Sequence, residues 1–132
     1  MGSWGMGNFD NDTALNWVSD FVDNPKPGMV DEALRNMGDA KKQQDTAANE
    51  KALAAAEVVA AMKGSPSEEL PAELDDMLQS FKVKPNRELL QLARQATLAV
   101  KTQSELRELW ETTGDMEIWL EHVDDLLGRL SA

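Results

Sequence analysis

From residue 12 onward, apolar side chains return every three or four positions, the period of one helix face, and no stretch alternates as a half-buried strand would. Ala14, Leu15, Trp17, Val18, Phe21 and Val22 form the first stripe. Pro25 and Pro27 end it, because proline brings no N–H to the helix ladder. Trp17 and Phe21, one turn apart, are expected to face the core together, and Asp12 to cap the helix. A second helix is predicted over 28–37, with Val30, Ala33, Leu34 and Met37 on one face and Gly38 at its end. Behind it the polar stretch 39–45, with Lys41-Lys42-Gln43-Gln44, reads as a mobile connection. The third helix, over 46–63, is alanine-rich and apolar nearly all round from 52 to 62. A helix without a polar face belongs at the centre of a fold. Gly64 stops it, and Pro66 and Pro71 frame a loop.

A fourth helix is predicted over 72–81, before Pro85, and a fifth over 86–101, with Leu89, Leu92, Ala93, Ala96, Ala99 and Val100 as its stripe. Ser104 opens a sixth that carries Leu106, Leu109 and Trp110 and stops near Gly114. In the last, Met116, Trp119, Val123, Leu126 and Leu130 mark the inner face. The expected architecture is a compact all-α bundle of six or seven helices, one domain over 1–132, with an irregular anchoring segment, 1–12, packed on the core. At 132 residues, 42% of them apolar, such a chain buries roughly two-thirds of the surface it exposes when unfolded.

Charge narrows the partners. The net charge is −11, from 24 acids against 13 bases, and the bases are scattered. A phosphate backbone is repelled by that field, whereas a basic protein is drawn in. Nucleic acid is therefore not expected as a ligand, and solubility is the plainer consequence of the same charge. There is no cysteine, which removes disulfides, thiolate metal sites and a cysteine nucleophile and fits a reducing compartment, the cytoplasm. No apolar run reaches the roughly 18 residues of a membrane span, and the opening lacks the basic flank and apolar stretch of a signal peptide. Met-Gly-Ser is followed by Met6 where myristoylation requires Ser or Thr, so no membrane association is expected.

The opening is the densest part of the chain: Trp4-Gly5-Met6-Gly7-Asn8-Phe9-Asp10-Asn11-Asp12 gathers aromatics, glycines and acids, with Trp17 one turn further on. Aromatics can anchor such a segment while glycines permit backbone shapes closed to other residues. The run from Met1 through Trp4-Gly5 and Phe9-Asp10-Asn11-Asp12 to Ala14 and Trp17, with the later Ala56-Glu57-Val58-Val59-Ala60, resembles a family of uncharacterised bacterial proteins, domain of unknown function 4259. The likeness spans most of the chain and is carried chiefly by the opening motif. It implies no activity, substrate or cofactor, and marks Trp4, Gly5, Gly7, Phe9, Asp10, Asp12, Trp17 and Glu57 as motif residues.

Glu57 is the most informative of these. Leu53, Ala54, Ala60 and Ala61, its neighbours one turn either way, make it project from an apolar surface. A carboxylate buried there must be paired, hydrogen-bonded or protonated. The structural reading has it accept from the Gly5 and Gly7 amides and the Trp4 indole, stapling the N-terminal segment to the core, or pair with Arg94 or Arg107. The functional reading is a reactive carboxylate. Asp10, Asn11 and Asp12 hint at a calcium loop, but the central Gly and distal Glu are missing and Leu15, Trp17 and Val18 follow, so helix capping is the simpler role.

The one enzymatic pattern lies in the second half. Glu105-x-x-Glu108 and Glu121-x-x-Asp124 resemble the paired acidic motif of all-α nucleoside-triphosphate pyrophosphohydrolases, in which four carboxylates hold magnesium against phosphates. The spacing sets all four away from the stripes of their helices, towards solvent, and in so acidic a chain it also arises by coincidence. His122, the single histidine, stands at the edge of the last apolar face and completes no zinc or iron motif. A Walker loop is absent. The expectation is a non-enzymatic acidic interaction or regulatory protein, such as an immunity-type antidote that occupies a basic partner, with no cofactor. The alternatives are the magnesium-dependent pyrophosphohydrolase and a purely structural dimer.

Overall fold

The computed structural model describes residues 7–38, 46–81 and 84–131. Among them are seven helices and no strand: α1 Asp12–Asp23, α2 Pro27–Gly38, α3 Thr46–Lys63, α4 Ala72–Phe81, α5 Arg87–Thr102, α6 Glu105–Thr113 and α7 Met116–Ser131. Trp4, Gly5 and the stretch 39–45 expected to connect α2 to α3 lie outside the described residues. No helix is long and apolar enough to cross a membrane among those described.

The helix ends follow from local chemistry. Asn11, not Asp12, caps α1: its backbone is extended, and its Oδ1 accepts the Ala14 N–H at 2.7 Å. Asp12 is the first helical residue, where its charge faces the positive end of the helix dipole. Replacing Asn11 with alanine is expected to cost about 1 kcal/mol in urea unfolding, because a buried amide loses its acceptor. Asn86 and Ser104 cap α5 and α6 in the same way. Gly114, at φ 84°, ends α6 in the left-handed region. At the end of α3, Gly64, with φ 104°, lets its own N–H reach Ala61 O at 3.0 Å and the Ser65 N–H reach Ala60 O at 2.9 Å. Two terminal carbonyls are thereby satisfied.

The alanine-rich α3 is the central element. It packs against α1, α2, α4, α5, α6 and α7, and every residue from 52 to 60 is buried. Small side chains let neighbouring backbones come close from all directions, which is why a helix without a polar face takes this place. Its own Leu53 and, from the other helices, Leu34, Leu74, Trp119, Leu126 and Leu130 are the large, fully buried side chains around it. Trp17 and Phe21 face inward together, their rings stacked at 5.4 Å between centroids and 8° between planes.

The sixth helix departs from its expected stripe. Leu106 is buried, but Leu109 is 39% exposed and Trp110 half-buried. The first turn of this nine-residue helix is held against α3, where Asn49 Oδ1 accepts the Leu106 N–H at 3.1 Å. In the second turn Trp110 still packs on the core while Leu109 turns outward.

Candidate functional site

Glu57 lies in the second half of α3 and is 1% exposed. Two elements converge on its carboxylate. Arg129, from the last turn of α7, donates in parallel from Nη1 to Oε1 at 2.8 Å and from Nη2 to Oε2 at 2.9 Å. Asn8, in the segment before α1, donates from Nδ2 to Oε2 at 2.7 Å. The fork of the guanidinium matches the two carboxylate oxygens, the geometry in which such a pair is strongest.

Further bonds hold Arg129 in place. Its Nε donates to Asp125 Oδ2 one turn earlier at 2.9 Å, and Nη1 donates also to Ser65 O at 3.2 Å. That carbonyl is presented by the Gly64 turn, so the end of α3 and the end of α7 are locked together. Lys63 Nζ donates to the Arg129 carbonyl at 2.8 Å, serving one of the last acceptors of α7. Burial by itself lowers the pKa of the Arg129 guanidinium, but the hydrogen bonds and charges of Glu57, then Asp125, outweigh it and raise the value above its ordinary one. The cation persists at every ordinary pH.

Glu57 is therefore an acceptor with its charge already matched. The cation that pairs with it is Arg129, not Arg94 or Arg107. Arg107 is taken up by Glu111 at 2.9 Å and by the Lys101 carbonyl at 2.7 Å. The Gly7 N–H likewise does not reach Glu57; it donates to Asp10 Oδ2 at 3.0 Å, closing a tight turn in which Asp10 N–H returns to Gly7 O. A Cβ at Gly7 would lie 2.6 Å from Glu69 Oε2 and 2.7 Å from Asp10 Oδ2, so the ends of those two side chains would have to move aside to admit one. Phe9, 5% exposed, anchors the same segment. Asn8 Oδ1 is buried and accepts no hydrogen bond from the described residues.

Arg129 and Asn8 were not expected as partners. The signal for Arg129 was its place three residues after Leu126 and next to Leu130, at the rim of the buried face of α7. For Asn8 there was only its position between Gly7 and Phe9.

The acidic motif does not assemble. Glu105, Glu108, Glu121 and Asp124 are all exposed, and Asp124 is paired with Lys101 at 2.7 Å. Glu105 and Glu108 line a shallow depression on α6 that neither Glu121 nor Asp124 reaches. Among the described residues no group of three or more histidines and carboxylates is placed to hold a metal ion. His122 is half-buried on α7.

These features define an all-α protein built around an alanine-rich central helix, with a buried carboxylate–guanidinium brace tying the N-terminal segment and the last helix to it. The chain belongs to the family described as domain of unknown function, DUF4259, whose model matches residues 2–122. The matched region takes in Asn8 and Glu57 and ends before Arg129. No curated protein and no solved structure matches the chain.

Proposed function

We propose that this is a non-enzymatic interaction protein that uses its acidic surface to occupy a basic protein partner, as a regulator or immunity-type antidote. The observation that carries the reading is the disposition of charge on the last two helices. Residues 105–131 hold eight acids and two arginines. Both arginines are spent internally, Arg107 on Glu111 and Arg129 on Glu57 and Asp125, while seven of the eight acids are exposed. Leu109 and Ile118, 39% and 44% exposed, offer apolar anchors between those acids. An apolar centre with a charged rim is the usual make-up of a protein-binding face. The absence of cysteine supports a cytoplasmic setting. The second reading, magnesium-dependent nucleotide hydrolysis, needs Glu105, Glu108, Glu121 and Asp124 to converge, and their exposed, ungrouped placement gives it no support.

The test is capture of partners on the immobilised full chain, followed by titration of the captured protein. A partner of positive net charge is expected, with affinity falling about tenfold or more between about 50 and 500 mM salt, as screening shortens the reach of surface charge. The combined Glu117→Gln and Glu121→Gln variant is expected to weaken binding in the same direction. Affinity indifferent to both salt and these substitutions would sink the reading.

A further inference from the structure

A cavity of about 320 Å³ opens where the end of α1, the start of α2, the end of α3, α4 and the start of α5 come together. Its lining is graded. Phe21 and Val30, 6% and 4% exposed, form the floor. Met62, Met77 and Leu78 are half-buried walls, and Lys84 and Asn86 are exposed at the rim. The space exists because Pro25 and Pro85, both on the lining, flank the ends of helices that would otherwise continue into it. Its volume lies at the lower end of the roughly 300–1,000 Å³ of small-ligand sites, enough for one slender molecule. The methionines suit a flexible apolar guest, since they repack with little cost.

The rim selects the head of that guest. Among the described residues no carboxylate lines the cavity, in a chain whose net charge is −11. Lys84 supplies a cation, and among the described residues no acid forms an ion pair with it. Asn86 Oδ1 accepts the Leu89 N–H at 2.8 Å, which turns that oxygen to the helix and leaves the Nδ2 hydrogens to offer. Asn86 is also the cap of α5, a 16-residue helix whose first turn, through Leu89, forms part of the wall. The positive end of its dipole thus lies at the same rim. Glu88, the acid in that turn, lies instead in a neighbouring depression with Asp31 and Arg35. Lys84 and Asn86 thus both bring donors to the rim, one of them cationic, above an apolar floor.

We propose that this cavity binds a single-chain free fatty acid of medium length, the hydrocarbon against Phe21, Val30 and the two methionines and the carboxylate at Lys84 and Asn86. The site is separate from the acidic face of α6 and α7, so either assignment can fail without the other.

The experiment is calorimetric titration of the full chain with sodium decanoate and, in parallel, with 1-decanol, which has the same chain and no charge. Saturable one-to-one binding of decanoate, tighter than that of decanol, is expected. Lys84→Met is expected to weaken decanoate about tenfold, the worth of one charge-assisted hydrogen bond, and to leave decanol unchanged. Met77→Trp, which fills the chamber, is expected to remove both. Lys84 is exposed, so its variant tests the proposal even if Met77→Trp fails to fold. No saturable decanoate binding below about 1 mM overturns the proposal. So does decanoate binding indifferent to Lys84→Met, a preference for decanol, or unchanged binding in a folded Met77→Trp protein.

Discussion

Arg129→Met is expected to destabilise the protein by about 3–5 kcal/mol, the cost of leaving a buried charge without its partner. Methionine keeps much of the aliphatic stem, so the loss falls on the guanidinium. Glu57 would be left almost wholly buried with Asn8 as its remaining donor. Against a total stability of about 5–15 kcal/mol, this is the difference between a folded and a marginal domain. Glu57→Gln should cost less, about 1–3 kcal/mol, because an amide still bonds to Arg129 and the cation keeps Asp125 and the Ser65 carbonyl. Replacing both members together, Glu57→Met with Arg129→Met, is expected to recover much of the loss, since an apolar pair of similar volume leaves no uncompensated charge. Urea midpoints of the four proteins measure this directly. If Arg129→Met unfolds at the wild-type midpoint, the two groups are not paired in solution. The arginine half of the brace does not titrate at ordinary pH. The folded guanidinium has a raised pKa, so its contribution is complete below its ordinary, strongly alkaline value and is lost only as pH climbs through the higher folded one.

The parts of this architecture legible in the sequence are those decided within a few residues. The spacing of Trp119, Val123, Leu126 and Leu130 gives the inner face of α7, Ser104 and Gly114 bracket α6, and the featureless apolar run of α3 announces a central helix. The burial of Glu57 follows from the same local logic, since every neighbour one turn away is apolar. Its partner does not, because Arg129 is 72 residues away and several arginines were chemically equal candidates. The choice is made by the end of α7 meeting the Gly64 turn, a tertiary event. Asn11 and Asp12 are adjacent and equally able to cap; the extended backbone at Asn11 decides between them. The cavity is legible only in part. Pro25 and Pro85 mark where helices stop, but that the two ends flank one space depends on how α1 and α5 pack on α3. The exposure of Leu109 was hidden because periodicity reports that a stripe exists, not how far along a short helix its partner extends.

Trp119→Ala is expected to cost about 3–5 kcal/mol, the range for removing a large aromatic from a packed core. Trp119 is 2% exposed and lies on the face of α7 that meets α3 and α5. The alanines of α3 are part of the reason for the size of the effect: a large side chain fitted among small ones leaves a void that short neighbours cannot stretch to fill. Trp110→Ala, on the half-buried turn of α6, should cost far less, about 1 kcal/mol, because lining open to water loses fewer contacts and leaves no closed cavity. The comparison uses one residue type twice, so the difference isolates burial. Trp119 and Arg129 are ten positions apart on one helix, about 15 Å along its axis, beyond the range at which substitutions ordinarily couple. Combined with Glu57→Gln, Trp119→Ala should therefore add its own cost to within about 0.5 kcal/mol. A coupling well above that would mean that α7 docks on α3 as a single unit, in which the brace at one end and the indole at the other hold or release the helix together.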